Sequence, residues 1–351
     1  MDAIQPGLFG LKQTNRDFTQ EKTWGKNQFN SSFPAALCCF LFAKNLDANY
    51  LCIQKGKFTQ DFISINEVFG INPDDSDIYF AFESQYTPYQ KHVIGSLERT
   101  DLVIQKRTTG ECLSGLEVKL TALPDNTTCE LDENLYGSEI VIRPSTIEYL
   151  ACSIASAFSE KELSDMLPSI FIKDWTNANI VIKNIEFIIS AIKKVSINLE
   201  TSQKSFLIQP IWKTRSKSPE LAENCLDVFI WSDAGFTNFI SDIADKSAND
   251  SSINRITRTA IWLYKMLLDI KETKRFDYEQ IIDSLSYNKK NDKAFSYTGK
   301  GTNKYMACPR LVKPAVLKSQ IKEIILGGGQ NLLSPERRFD AIIVNSPDLF
   351  L

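Results

Sequence analysis

Apolar residues recur at helical spacing most clearly between Ile253 and Ile270, where Ile256, Ala260, Ile261, Tyr264, Leu267 and Leu268 share one face. The same period runs through residues 180–199, on Ile185, Ile188, Ile189, Ile192 and Val195, and through 147–158. Shorter helices are predicted over 34–45, a buried one, over 278–285, and over 314–326, the last closed by Gly327-Gly328-Gly329. Residues 78–96 read as helical in part, with an interruption at Pro88. Residues 61–73 have mixed apolar spacing and end in the turn signal Asn72-Pro73-Asp74-Asp75, while the polar segment 1–32 reads as irregular.

Two stretches alternate instead. Residues 97–105 and 116–123 are short apolar-alternating runs joined by the glycine-containing loop 106–115, the pattern of a β-hairpin. Residues 206–212 and 226–231 are two further strand candidates. Helix and strand so interleaved predict an α/β chain with a mixed central sheet flanked by helices, plus additional helical segments. At 351 residues the chain can bury a substantial core. It is read as a single unit, 1–351, with a catalytic core over 75–235 and a helical, basic portion over 250–351.

Composition narrows the chemistry. The apolar fraction of 43% is that of an ordinary globular protein. The longest apolar run, Phe33 to Phe42, is about half the roughly 20 residues needed to cross a bilayer, so a cytoplasmic protein without a membrane segment is expected. Eight cysteines contain no C-x-x-C pair and only one histidine, His92, is present, which argues against a zinc module and against Ser-His or Cys-His catalysis. Cysteines in apolar runs, such as Cys38 and Cys39, suit buried free thiols. His92 reads as structural or surface. Asp74, Asp75 and Asp77 lack the spacing of a calcium loop, and the glycine-rich stretches match no nucleotide-binding pattern. Catalysis, if present, must rest on carboxylates and lysines.

The hairpin carries such a set. In the second strand, period-two alternation puts Leu116, Val118 and Leu120 on one face and Glu117, Lys119 and Thr121 on the other. The hairpin can bring Asp101 beside Glu117. Asp101 and Glu117 offer hard oxygens for Mg²⁺, with the Val118 carbonyl as a third ligand and Glu83 or Glu98 as further carboxylates, Glu83 the better of the two. Mg²⁺ chemistry of this kind hydrolyses phosphodiesters, and Lys119 would orient or deprotonate the attacking water. A Glu-x-Lys pair is also a common ornament of an exposed strand face, and that reading stands beside the catalytic one.

Charge distribution bears on the substrate. Residues 289–322 hold nine Lys or Arg against one acid, a segment of +8 in a chain of formal charge −3, which leaves −11 elsewhere. A polarised layout of this kind can hold a polyanion. The aromatics Phe295, Tyr297 and Tyr305 lie among these lysines. Candidate DNA contacts are Lys26, Asn27, Gln28, Lys300, Asn303, Lys304 and Arg310; of these, Asn27, Gln28, Lys300, Asn303 and Arg310 have side chains suited to base edges. An ordinary solvated surface is the competing reading of the segment. Thr121 and Gln209 are either neighbours of the site or simple strand faces.

Residues 97–123 resemble the PD-(D/E)xK nuclease superfamily, with Asp101, Glu117 and Lys119 at the motif positions and Thr100 where a proline often stands. Over more of the chain, Trp24-Gly25-Lys26-Asn27-Gln28-Phe29-Asn30-Ser31-Ser32-Phe33-Pro34, residues 116–125, Phe229-Ile230-Trp231-Ser232-Asp233 and Ser334-Pro335-Glu336-Arg337-Arg338-Phe339-Asp340 resemble the HindVP-type family of type II restriction endonucleases. The resemblance implies a bacterial homodimer that cuts double-stranded DNA at a short palindrome, GRCGYC, beside a companion DNA methyltransferase. Two other functions fit the residues: a PD-(D/E)xK nuclease of repair or recombination, and a non-catalytic DNA-binding protein.

Overall fold

The computed structural model describes residues 13–15, 23–24, 35, 38–39, 42–43, 45, 47–54, 57–119, 144–168, 170–202, 212–215, 218–221, 229–230, 232–248, 253, 255–287 and 316–317. The first described strand, β1 (Thr23–Trp24), is followed by a hairpin of β2 (Ala48–Gln54) and β3 (Lys57–Ile63), paired from Ala48↔Ile63 to Gln54↔Lys57. Helix α1 (Ile65–Phe69) starts with a capping box between Ser64 and Glu67 and stops at Gly70, whose φ of 68° suits a residue without a Cβ.

The strands that position the site come next. β4 (Ile78–Ser84) leads through a 3₁₀ turn (Thr87–His92) and the short β5 (Val93–Ile94) to β6 (Thr100–Lys106), β7 (Cys112–Leu116) and β8 (Val118–Lys119). β4, β6 and β7 form an antiparallel three-stranded sheet in that order. Two sequence expectations are corrected here. Residues 78–84 are strand, not helix: Ile78, Phe80 and Phe82 occupy alternate, buried positions, and helical character is confined to the 3₁₀ turn that Pro88 helps to start. The hairpin is also tighter than expected. Gly110 turns the chain at φ 71°, so that residues 112–115, read as loop, already pair with β6 together with Leu116.

The helices make the second layer: α2 (Pro144–Ala157), α3 (Glu160–Met166), α4 (Ala178–Ile182), α5 (Ile185–Leu199), α6 (Asp233–Ser247), α7 (Arg255–Thr273) and α8 (Tyr278–Ser284). Between them run β9 (Trp212–Arg215), β10 (Ser218–Leu221), β11 (Phe229–Ile230) and β12 (Phe276–Asp277). α5, α6 and α7 pack on one another, and α2 lies between α7 and the 3₁₀ turn, also touching β6. The shared core includes Ile147, Leu150, Ile188, Ile192, Trp262 and Leu267, all fully buried. The helical periods at 147–158, 180–199, 253–270 and 278–285 thus fall on observed helices, and 34–45 shows helical residues with Ala35 and Cys38 buried. α3 and α6 go beyond the sequence expectation; each is nucleated by a serine cap, Ser159 and Ser232, whose hydroxyl accepts a backbone N–H of the first turn.

At the far end of the chain, Val316–Leu317 is a strand, β13, paired antiparallel with β1, although the sequence predicts a helix over 314–326 and irregular structure at 23–24. Both dipeptides are short and partnered across nearly the whole sequence, so no local period announces them. Of the strand predicted at 206–212, only Trp212 lies within the described residues, where it opens β9. The architecture is mixed helix and strand with a small sheet, compatible with the α/β class. No helix among the described residues is long and apolar enough to cross a membrane.

Candidate active site

The register of the sheet brings the two central acids together. The last β6–β7 pair is Leu102↔Leu116, so the next position along sets Asp101 against Glu117. On the other side of β6, Phe82↔Leu102 and Ser84↔Thr100 bracket the position where Glu83 meets Asp101. Glu83 and Asp101 therefore share a row across β4 and β6, and Glu117, the residue after β7, continues it. Glu83 itself has φ 48° and drops out of the ladder, a left-handed backbone that a long side chain seldom adopts.

Burial separates these acids from ordinary surface charges. Glu117 is only 8% exposed, while Asp101 is half-buried. A carboxylate is removed from water at considerable cost unless compensating groups surround it, so an incidental Glu-x-Lys on a solvated strand would not leave Glu117 inside. Among the described residues no three His, Cys, Asp or Glu side chains meet closely enough to hold a metal ion. Asp101 and Glu117 are two carboxylates at adjoining positions of the register, hard oxygens of the kind a divalent cation that keeps several waters prefers.

The chain leaves the three-stranded sheet at Glu117 and continues as β8, which pairs with β11 through Val118↔Ile230 and Lys119↔Phe229. The alternation predicted across 116–123 is thus interrupted at the acid, and Leu116 and Glu117 are both buried. β11 leads directly to Ser232, the cap of α6, and to Asp233 in its first turn. The Asp233 carboxylate accepts a hydrogen bond from the Ser153 hydroxyl of α2, and burial pushes its carboxyl up to about 6.

Tyr149 of α2 joins these parts. Its hydroxyl donates to the Gly115 carbonyl at 2.6 Å. Burial pushes the phenol well above its ordinary range, with the negative charges of Asp233 and Glu117 acting in the same direction. Tyr149 therefore stays a protonated donor. Gly115 is closely covered: a Cβ there would sit 3.2 Å from Tyr86 Cγ and 3.3 Å from Tyr149 Cε2, so the rings would have to give by a few tenths of an ångström to admit one. Sequence alone does not single out Tyr149, Asp233 or Ser153 as neighbours of this end of the sheet. A tyrosine on the apolar face of 147–158 reads as core, and only the Phe229–Asp233 segment points toward Asp233.

Glu98 is exposed, and its backbone N–H donates to Glu148 at 3.3 Å. His92 shares a 3.1 Å hydrogen bond with Ser156, in keeping with a structural part. Cys38 and Cys152 are free and buried; Cys39 and Cys112 are free and half-buried. The backbones of Val118 and Lys119 are described in β8. Lys26, Asn27, Gln28, Lys300, Asn303, Lys304, Arg310, Thr121 and Gln209 lie outside the described residues.

Glu148, next to Tyr149 on α2, is 1% exposed, and its second carboxyl oxygen has no hydrogen-bond partner among the described residues. Burial pushes its carboxyl from the usual 4.5 up to about 8. The folded chain therefore binds this proton more tightly than the unfolded one. The associated stability is fully present below about pH 4.5 and is lost as pH rises to about 8. Glu148→Gln is expected to gain stability over the natural chain progressively across that window, with a ceiling of about 5 kcal/mol, since tenfold in proton affinity is worth about 1.4 kcal/mol. Urea unfolding of both chains at pH 5 and pH 8 measures it; a constant difference between them would contradict this reading of Glu148.

Comparison with known proteins places the chain. The model of the HindVP restriction endonuclease family matches residues 24–350, and the chain belongs to that family. It is an enzyme of the type II restriction class. It is 48% identical over 349 residues to the probable type II restriction enzyme HindVP of Haemophilus influenzae, covering 99% of this chain and 96% of that one. It is 43% identical over 350 residues to the type II restriction enzyme HgiDI of Herpetosiphon aurantiacus, covering 99% and 97%. No solved structure matches the chain. Of the three functions compatible with the residues, family membership selects restriction over repair and over non-catalytic binding.

Proposed function

We propose that the chain hydrolyses phosphodiester bonds of double-stranded DNA in a Mg²⁺-dependent manner, with Asp101, Glu117 and Lys119 at the centre of a PD-(D/E)xK-like core. The observation that carries this reading is the burial of Glu117 opposite Asp101 at the end of the β6–β7 ladder, in a chain of the restriction endonuclease family. Asp101, Glu117 and the Val118 carbonyl would hold the cation, and Glu83, across β6 from Asp101, is the candidate for a further carboxylate. Bound there, Mg²⁺ supplies Lewis acidity toward the scissile phosphate and eases deprotonation of water. Lys119 orients the attacking water and balances the charge of the two acids.

The segment 289–322 and Lys26 hold phosphates, while Asn27, Gln28, Lys300, Asn303 and Arg310 are the candidates for base edges. A homodimer presents two such centres to the two halves of a palindrome, since a twofold protein matches a twofold site. The family resemblance implies GRCGYC as that site, a cognate methyltransferase as functional companion and the bacterial cytoplasm as location. Digestion of a plasmid in Mg²⁺ followed by sequencing of the fragment ends tests this. Ends within GRCGYC are expected, and cutting that depends on branches or free ends would favour a repair nuclease.

Neutralising Lys300 and Lys304 together is expected to weaken binding about equally for all sequences. It should also lower the slope of log affinity against log salt by about 0.9 for each phosphate no longer neutralised. Titration of a labelled duplex at several salt concentrations measures the slope. An unchanged slope would remove 289–322 from the DNA interface.

A further inference from the structure

β7 is an edge strand of the three-stranded sheet, and two tyrosine hydroxyls lie against its backbone. Tyr149 donates to the Gly115 carbonyl at 2.6 Å, and Tyr86 to the Leu113 carbonyl at 3.5 Å. Leu113 lies at the bulge of the β6–β7 ladder, between the pairs Gln105↔Cys112 and Ile104↔Ser114, so Tyr86 meets the bulge and Tyr149 the regular strand beyond it. Both rings stand near the position a Cβ of Gly115 would take, Tyr86 Cγ 3.2 Å and Tyr149 Cε2 3.3 Å from it. Tyr89 links them, with its ring 4.6 Å from Tyr86 and 5.6 Å from Tyr149, both edge-on. The outcome is a clasp of three rings and two hydrogen bonds on the five residues that end at Leu116, immediately before Glu117.

We propose that Tyr149, assisted by Tyr86, is a positioning residue that fixes the β7 backbone through Gly115 and so sets the Glu117 carboxylate opposite Asp101. Three facts favour this over simple core packing. The Tyr149 hydroxyl is spent on one carbonyl two residues from the acid rather than on solvent or on its own helix. The glycine it holds interrupts a strand where glycine is unfavourable, and close ring contact accounts for it. The β6–β7 ladder also ends at Leu102↔Leu116, one residue before the acid, so the Gly115 contact falls next to the end of the paired strand. A site for a divalent cation requires its oxygens fixed to fractions of an ångström, which a free edge strand would not provide.

The inference rests on the reading of Asp101 and Glu117 as cation ligands. Its test uses the full chain and Mn²⁺ as probe, because Mn²⁺ shares the oxygen preference of Mg²⁺ and its binding is read by electron paramagnetic resonance without turnover. Tyr149→Phe keeps the ring and removes the hydroxyl. Expected are a Mn²⁺ affinity lower by about tenfold, the scale of one lost hydrogen bond near a charge, and cleavage slowed by about the same factor or more. Duplex affinity in Ca²⁺ and the thermal midpoint should stay near those of the natural chain. Gly115→Ala, whose Cβ would press on Tyr86 Cγ and Tyr149 Cε2, should likewise lower Mn²⁺ affinity and slow cleavage, here with a lower thermal midpoint, and serves if Tyr149→Phe does not fold. Natural Mn²⁺ affinity in either folded variant overturns the proposal. Glu117→Ala distinguishes the two levels. If it loses Mn²⁺ and cleavage while Tyr149→Phe keeps both, only the clasp falls; if it keeps both, the site itself falls and the clasp with it.

Discussion

Lys119→Ala will bind duplex DNA with natural affinity and cleave it slower by about 10²–10³-fold or more in Mg²⁺, the scale set by removing one preorganised donor from a charged centre. The lysine follows the buried Glu117 by two residues, on the strand that β11 holds through Lys119↔Phe229. Its removal deletes the positive charge that the proposed function assigns to the site and leaves the backbone pairing that positions β8. Binding should survive, because affinity for DNA is supplied mainly by phosphate contacts spread over the basic portion of the chain. Filter binding in Ca²⁺ and single-turnover cleavage in Mg²⁺ separate the two properties. Cleavage at the natural rate would remove Lys119 from the reaction.

The second large effect concerns the layer behind the sheet. Trp262 on α7 is fully buried, donates its indole N–H to the Leu285 carbonyl at 3.0 Å, and carries the Arg258 guanidinium 5.2 Å from its ring centre. Arg258 in turn donates to the carbonyls of Ser286 and Tyr287, so one residue ties α7 to the end of α8. Trp262→Ala empties the largest fully buried side chain among the described residues and exposes Arg258 to an unfilled cavity. A loss of about 3–5 kcal/mol is expected, read as a lower urea midpoint. Because α7 supports α2, and α2 carries Tyr149, the folded fraction of this variant should also cleave more slowly. A loss under about 1 kcal/mol would show that α7 is not the core helix described.

What is legible from sequence follows from how far each signal reaches. α5 and α7 repeat their apolar face over 15 and 19 residues, and such a period is read from one chain alone. The acid pair is legible because a hairpin is local: Asp101 and Glu117 flank the register pair Leu102↔Leu116 directly. Residues 78–84 mislead because both faces of that strand are partly buried, as Phe80, Ala81 and Phe82 in succession show, which blurs alternation into an apolar run. The β1–β13 pair and the meeting of Tyr149 with Gly115 join positions far apart in the chain, and no window sees them. Asp233 is hidden for a different reason: its raised carboxyl comes from burial and its partner is the Ser153 hydroxyl of another helix, neither of which a helix-capping motif announces. The family is legible from several short segments together, and the match over 24–350 bears it out.

Glu83 is the further carboxylate that the sequence suggests near the pair. It lies in the same row across the sheet, but its left-handed backbone turns it out of the ladder, and no three acids converge among the described residues. Its part in the reaction is separable from that of Asp101 by Glu83→Gln, which should slow cleavage less than Asp101→Asn does.

Cleavage of a plasmid in Mg²⁺ by the natural chain, Asp101→Ala and Glu117→Ala, run side by side with duplex binding as control, bears most directly on the acid pair. Discrete fragments from the natural chain and none from either variant, with binding retained in all three, is the expected result. The same fragments at the natural rate from either variant would contradict the assignment of Asp101 and Glu117 as the cleavage centre.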